Sequence, residues 1–392
     1  KLASGGLGTS ASPWTGWETA LNALPVNVRV HFSLGFYTQT TMITMKRGWV
    51  VAGDGKDNTT ITSAIAGTAF RTNNPLNSST TAHLVVKDLW IENTNAANNG
   101  SGILEVGGTF VEIRNVKVVG FRYGIVFNQT EVGEIDLCDL ESFRRAGVWF
   151  VNGNDYDLVN ADIDYSTANP SLTNRNSVTR CQFNSSVASV VAIVDDGGYT
   201  HEISDNNFNA CANHLYLAGI NGGVIRNNEF ESATSTPILS TNLSKYGGDA
   251  SGPNISLTFQ GNVIIPIAGQ NAVNLSNGAP LTFAGNLFSS TVTAIVGTAN
   301  SANVRSFGNA QTGVGALFDG VSTQHWQDDF LSSVVKVRTN MLLGFEGQTF
   351  ASLGTPSNGT ITFCSDCNIA NPCTGGGTGA LAKRLNAVWV CN

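Results

Sequence analysis

The chain has 392 residues, enough for a large core, with 12% charged residues, 43 Gly and 10 Pro. Those proportions exclude a disordered, coiled-coil or collagen-like chain. A net charge of −7 argues against a nucleic-acid backbone as partner, since that needs clustered Lys and Arg, and the sequence has no apolar run long enough to span a membrane as a helix.

Val, Ile, Thr, Asn and Gly dominate, which favours strands and turns over helices. The chain starts at Lys1 rather than Met, with no secretory pattern, and reads as a processed protein or a fragment. Residues 1–12 are rich in Gly, Ser and Ala. From Trp14 to Leu24, residues Trp17, Ala20, Leu21 and Leu24 fall at helical spacing. A short amphipathic helix here, within residues 1–27, would cover the open end of a strand stack, whose unpaired backbone groups otherwise invite aggregation. Strands are expected at Val28–Phe32, Thr41–Met45, Trp49–Ala52 and Thr59–Thr62.

From Val86 onward a short unit recurs. It reads Ile203-Ser-Asp-Asn206-Asn207-Phe208, then Ile225-Arg-Asn-Asn228-Glu229-Phe230, and returns around Phe259–Ile264 and Phe283–Phe288. The period is about 22–24 residues with one longer step, the mark of a stacked solenoid. A second ladder runs in step: Gly102–Val106, Gly124–Asn128, Gly147–Val151, Asn213–Leu217, Asn271–Leu275 and Thr293–Val296. Each coil is too small to bury its own apolar face, so stacking must build the core. The repeated Asn is expected to take a left-handed conformation and to bond to its counterparts above and below. Cys138 and Cys181 occupy the same position in their coils and read as small buried core thiols. The expected fold is all-β: a right-handed, single-stranded parallel β-helix of about a dozen coils over 28–320, with a closing segment at 321–353.

The early segment also carries a family likeness. Trp17…Ala20-Leu21, Val30-His-Phe32, Gly35-Phe-Tyr37, Val50-Val-Ala-Gly53-Asp-Gly55-Lys56 and Thr60-Ile61 follow one another in an order that resembles the start of the pectate-lyase-like superfamily. The likeness covers residues 14–62, with Ser33-Leu34 where that superfamily usually has a Pro. It implies polysaccharide lyases, polygalacturonase-type hydrolases and phage tailspikes as relatives. From it follow a polysaccharide partner, an extracellular or virion-surface location, a homotrimer on the tailspike branch, and calcium as cofactor if the chemistry is that of a lyase. The alternative is a receptor-binding or structural fibre protein without catalysis.

Two interruptions, at 152–176 and 241–254, read as flank loops. Glycosidic hydrolysis needs two carboxylates across the bond. Asp195 and Asp196, at the end of the strand from Val190, resemble the acidic pair of polygalacturonase-type hydrolases, although neighbouring strand residues face opposite ways. The catalytic candidates are therefore Asp195, Asp196, the loop acids Asp155 and Asp157, and His201, with Tyr199 beside them for binding. If Leu215 and Leu217 point inward, His214 and Tyr216 point outward, and Glu105 and Trp149 of the same ladder join them as a sugar platform. A further outward row follows the turn: Trp90, Lys117, Asp139, Gln182, Asn207 and Glu229, with Glu231 beyond.

Seven Cys are present, so at least one thiol is free or pairs between chains. Cys364, Cys367, Cys373 and Cys391 define a terminal module over 354–392. They fit either two disulfides or a structural zinc site.

Overall fold

The computed structural model describes residues 9, 11–72, 83–97, 99–151, 155–157, 162–164, 173–241, 254–267, 269–276, 281–289, 293–297, 304–312, 316–319, 323–327, 330–331, 347–355 and 358–392. The chain divides into two compact units, Lys1–Arg338 and Thr339–Asn392.

The first unit is a right-handed parallel β-helix. Among the described residues its large sheet has 23 strands and its second sheet 11, and the coil count is slightly below the dozen expected. The two sequence ladders are the two sheets. Ile203, Ile225, Phe259 and Phe283 are register partners in the large sheet. Ile103, Ile125, Val148, Ile193 and Leu215 are partners in the second. All these side chains are buried in one continuous core. Interior rings stack from coil to coil, with Phe183, Phe208 and Phe230 at 4.8 and 4.7 Å and Phe259 on Phe283 at 4.6 Å.

Within the large sheet, a sharp bend divides each coil into two short strands. The residue at the bend has φ between 51 and 64: Asp88, Asn115, Leu137, Arg180, Asp205, Asn227, Gly261, Gly285 and Gly308. The left-handed conformation thus belongs to the residue before the repeated Asn, a one-residue correction. The ladder Asn must send its amide into the core, and the residue before it absorbs the turn. Asp, Asn and Gly do so at least cost.

The amide ladder itself is present. The side-chain oxygen of Asn228 accepts from the backbone N–H and the amide of Asn206, at 3.0 and 2.9 Å. Asn262, Asn286 and Asn309 repeat the pattern in turn. At the other end, Asn206 accepts from the Cys181 N–H at 2.8 Å, and the Cys181 sulfur accepts from the Cys138 N–H at 3.4 Å. The two thiols therefore continue the ladder. Burial pushes the Cys181 thiol well up and that of the equally buried Cys211 to about 12, so neither is a ready nucleophile.

The expected cap is a five-residue helix, Glu18–Asn22. Trp17 and Leu21 enter the core. Glu18 accepts from the Thr40 N–H, and Asn22 accepts from Thr44 N–H and donates to the Met42 carbonyl, at 2.8, 2.8 and 2.9 Å. Side chains thus close the strand edge that a preceding coil would have paired. At the other end the sheet continues past the point where the repeat fades, as Thr323–Gln327 and Phe330–Leu331 pair onto it. The interruption after Val151 carries an antiparallel hairpin of Asp155–Asp157 with Asp162–Asp164. The second interruption, at 241–254, is described only at its ends, Thr241 and Asn254.

The second unit has a four-stranded sheet made from Gly347–Gln348, Ile361–Cys364, Ala380–Leu385 and Val388–Cys391. Its small core joins the four cysteines to Ala380, Ala382 and Trp389. Cys364 pairs with Cys367, and Cys373 with Cys391. Sulfurs joined in pairs offer no thiolate to a metal. So small a core needs such staples, and Cys373→Ser is expected to cost this unit about 2–5 kcal/mol. Intact mass of the unreduced chain should fall short of the reduced mass by the hydrogens of four thiols. Four titratable thiols and a bound metal in the untreated protein would instead establish the zinc reading.

Candidate functional site

On the outer face of the large sheet, the strands after the bend carry two parallel rails of mostly polar side chains, with Val119 interrupting one of them. One runs Trp90, Lys117, Asp139, Gln182, Asn207, Glu229, and the other Glu92, Val119, Glu141, Asn184, Asn209, Glu231, each residue in register with the next. The outward row read from sequence is therefore real. Successive rungs lie about 4.8 Å apart, so each rail presents hydrogen-bonding groups at a fixed repeat along the axis. Lys117 sits 4.7 Å over the Trp90 ring and 3.0 Å from Glu141, and Lys56 pairs with Asp139 at 2.6 Å. Asn207 donates to Glu229 at 3.1 Å. Glu229 and Glu231, two apart on one strand, face the same way. Desolvation, followed by the charge and hydrogen bond of Glu229, holds the Glu231 carboxyl above its ordinary value. The next rung presents Val263 and Ile265, so the pair stands where the polar rails end.

Before and at the bend the same face carries ion pairs between coils. Arg180 grips the buried Asp136 carboxylate through two hydrogen bonds of 2.8 and 2.6 Å, and Arg226 binds Glu202 at 2.6 Å. The Arg226 hydrogen bond lowers the Glu202 pKa, against the opposing effect of partial burial. These groups are spent on one another.

The second sheet is different. Its strands Ser101–Val106, Tyr123–Asn128, Ala146–Val151 and Val191–Asp196 are buried at every residue, on both faces. Asp195 is in register with Phe150 and Leu217, both core residues, and so faces the interior. There its carboxylate lies 2.7 Å from His201 Nδ1. The Asn176 amide faces His201 Nε2 at 3.4 Å while donating to the Thr130 carbonyl at 2.9 Å. That network assigns the ring proton to Nδ1, pointing at Asp195. Gly198 makes room for the ring, since a Cβ there would lie 2.2 Å from it. Asp195 is 1% exposed and His201 4%. This arrangement pins the corner between the sheets and is closed to a polymer.

Asp196 faces the other way, accepting from the Trp149 indole N–H at 2.9 Å. Trp149 stacks on Tyr123 at 5.0 Å, with the Arg122 and Arg145 guanidinium groups 5.4 and 5.7 Å from the Tyr123 ring. Tyr216 lies half-buried beside this cluster, its hydroxyl pKa raised by desolvation and then by Asp196. Asp195 and Asp196 thus belong to opposite faces and form no joint acid pair, a correction that follows from the period of two along a strand.

Two further residues expected outside lie inside. Glu105 shares the column of Phe127 and Phe150 and is fully buried. His214 is also fully buried, stacked between Phe208 and Phe230 at 5.7 and 5.8 Å. It occupies the column of Gly124, Gly147 and Ala192, next to the chain's turn, where strict alternation fails. Trp149 faces outward as read but is enclosed, and Tyr199 is exposed on the large sheet, whereas Asp196 belongs to the second sheet. Asp155 and Asp157 fall on the inserted hairpin, and their side chains lie outside the described residues. Sequence reasoning missed Arg122 and Tyr123, which just precede the repeat copy at Gly124, and Arg145, which just precedes the copy at Gly147. Coil-to-coil alignment of Tyr123 with Ala146 was the available signal.

No protein-family model matches the chain, and no curated protein matches it in sequence. Among solved structures it is similar to ORF18 of Geobacillus virus E2, at 12% identity and a TM-score of 0.55 over 95% of this chain and 72% of that one. It is similar also to a DFA-IIIase from Arthrobacter chlorophenolicus A6 in complex with GF2, at 11% identity and a TM-score of 0.53 over 81% of this chain and 88% of that one. The Agl-KA catalytic domain matches at 14% identity and a TM-score of 0.49, over 77% of this chain and 61% of its own length. At such identities the first two likenesses carry the fold.

Proposed function

We propose that the protein binds polysaccharide along the outer face of its large sheet and cleaves it at the Glu229–Glu231 pair. The observation that carries this reading is the pairing of two carboxyls on one open face, with Glu231 raised above its ordinary value by desolvation and by Glu229. Cleaving a glycosidic bond takes a protonated carboxyl to serve the leaving oxygen and an ionised one as base or nucleophile. In this reading Glu231 is the acid and Glu229 the base or nucleophile, with Asn207 holding Glu229 in place. The amides on the neighbouring rungs, Gln182, Asn184 and Asn209, would take sugar hydroxyls, and the Trp90 ring would take an apolar sugar face.

The test is a panel of polysaccharides assayed for binding, for new reducing ends and for the ultraviolet absorbance of an unsaturated product. Reducing ends without that absorbance are expected, with the rate falling as pH rises through the raised Glu231 pKa. Glu229→Gln with Glu231→Gln should lower the rate by about 10²-fold or more while binding persists. An undiminished rate in that double variant removes the pair from the chemistry. Binding without any product would make the protein an adhesive fibre, a reading that the durable amide ladder favours.

A further inference from the structure

The first coils carry a concavity on the outer face of the large sheet, before the bend. It encloses about 430 Å³ and is lined by Arg29, His31, Val50, Ala52, Val85, Lys87 and Glu112. Its construction follows from register. Arg29, Val50, Val85 and Glu112 form one outward column, and His31, Ala52 and Lys87 the next. Small apolar side chains occupy the middle rungs and long charged ones the outer rungs, so the face is dished.

The charges around this dish are poorly compensated within the chain. The Arg29 side chain has no ion-pair or hydrogen-bond partner among the described residues, and neither has that of Glu112. Lys87 approaches only Asp88, at 3.9 Å, and that carboxylate is already engaged by the Asn115 amide at 2.7 Å. His31 is held against Asp54 at 2.9 Å, which fixes its ring at the rim. Elsewhere on this face Arg180 and Arg226 are bound to carboxylates two or fewer rungs away. Two cations left open, in a chain of net charge −7, mark a place that takes an anion.

We infer that this dish binds an acidic sugar unit, a uronate, within a polysaccharide chain. Arg29 and Lys87 take the carboxylate, Glu112 accepts from ring hydroxyls, and Val50, Ala52 and Val85 carry the apolar face of the ring. An inorganic phosphate would gain nothing from that apolar floor and offers no ring hydroxyls to Glu112, which is why a sugar acid is the better occupant. The inference rests on the polysaccharide reading for the kind of ligand. It does not depend on cleavage at Glu229–Glu231.

The experiment is calorimetric titration of the whole chain with an oligouronate, with its carboxyl-reduced neutral counterpart, and with inorganic phosphate. The oligouronate should bind at least about tenfold more tightly than the neutral oligosaccharide, as expected for a charge-assisted pair. Arg29→Ala with Lys87→Ala should remove that preference, and Glu112→Gln should weaken the oligouronate while leaving salt sensitivity intact. Glu229→Gln with Glu231→Gln should leave the preference as it was. Equal binding of acidic and neutral chains, or an unchanged preference in the Arg29/Lys87 variant, overturns the inference while the polysaccharide reading stands. Full displacement of the oligouronate by phosphate overturns it in favour of a simple anion site. Cleavage undiminished in the Glu229/Glu231 variant, with the preference retained, would strike the Glu229–Glu231 assignment alone.

Discussion

Glu105→Leu is expected to stabilise the β-helix by roughly 3 kcal/mol at pH 7. The carboxyl lies wholly inside, in a column that continues with Phe127 and Phe150, and neither of its oxygens meets a hydrogen-bond donor at bonding distance. Gly108 leaves it room, since a Cβ there would stand 1.9 Å from a Glu105 oxygen. Burial pushes the pKa from 4.5 to about 8, with the nearby Thr72 hydroxyl acting weakly in the other direction. The folded chain therefore keeps a proton that the unfolded chain gives up above pH 4.5. Stability is highest below that value, falls as pH rises toward 8, and is level beyond. Leucine has nothing to ionise and removes the slope. Denaturant unfolding at pH 5 and pH 8 checks this: the wild type should be less stable at pH 8, and the variant should lose much less. Equal wild-type stability at the two values would show that the carboxyl is solvated in the folded state.

His214→Phe should act at the opposite end of the pH range. The imidazole lies between two phenylalanine rings, and burial lowers its pKa from 6.5 to about 3, against the contrary pull of the Glu231 carbonyl. The unfolded chain takes a proton below pH 6.5 that the folded chain refuses. The histidine thus costs nothing above pH 6.5, and stability is lost progressively as pH falls toward 3, by about 4–5 kcal/mol in full. Phenylalanine keeps a ring in the stack without the titration, so its acid unfolding midpoint should shift downward. Circular dichroism during acid titration reads the shift, and coincident midpoints for variant and wild type would refute it. Between pH 4.5 and 6.5 the two buried groups act in opposite senses, so these two residues alone give the wild type a stability maximum there.

The scaffold was legible because its signals repeat. A ladder Asn recurs at one place in successive coils, and stacking then dictates its partners. The left-handed bend was misassigned by one residue because Asn207, Asn227 and Asn228 are chemically alike and only the core direction separates them. His214 was misplaced for a related reason: alternation holds along a straight strand and fails beside the corner, where Gly124 and Gly147 also point inward. Glu105 could have been found by aligning it with Phe127 and Phe150, a column in which a carboxylate stands out. The opposed faces of Asp195 and Asp196 followed from strand geometry, but which one pointed inward depended on a corner residue, Gly197, whose φ of 89 no pattern encodes. The dish at Arg29 and Lys87 was invisible since it joins residues from four coils of unequal length.

The amide ladder has a direction. In each rung the asparagine hands both its protons forward and to the interior carbonyl, and receives two on its single oxygen. Every internal rung therefore presents to its successor what its predecessor presented to it. A complete coil could be duplicated or deleted within the Asn206–Asn309 stretch without leaving an amide unmatched. The length of such a rod is a quantity that gene duplication can tune one rung at a time, with the helix at Glu18–Asn22 unchanged as its stopper.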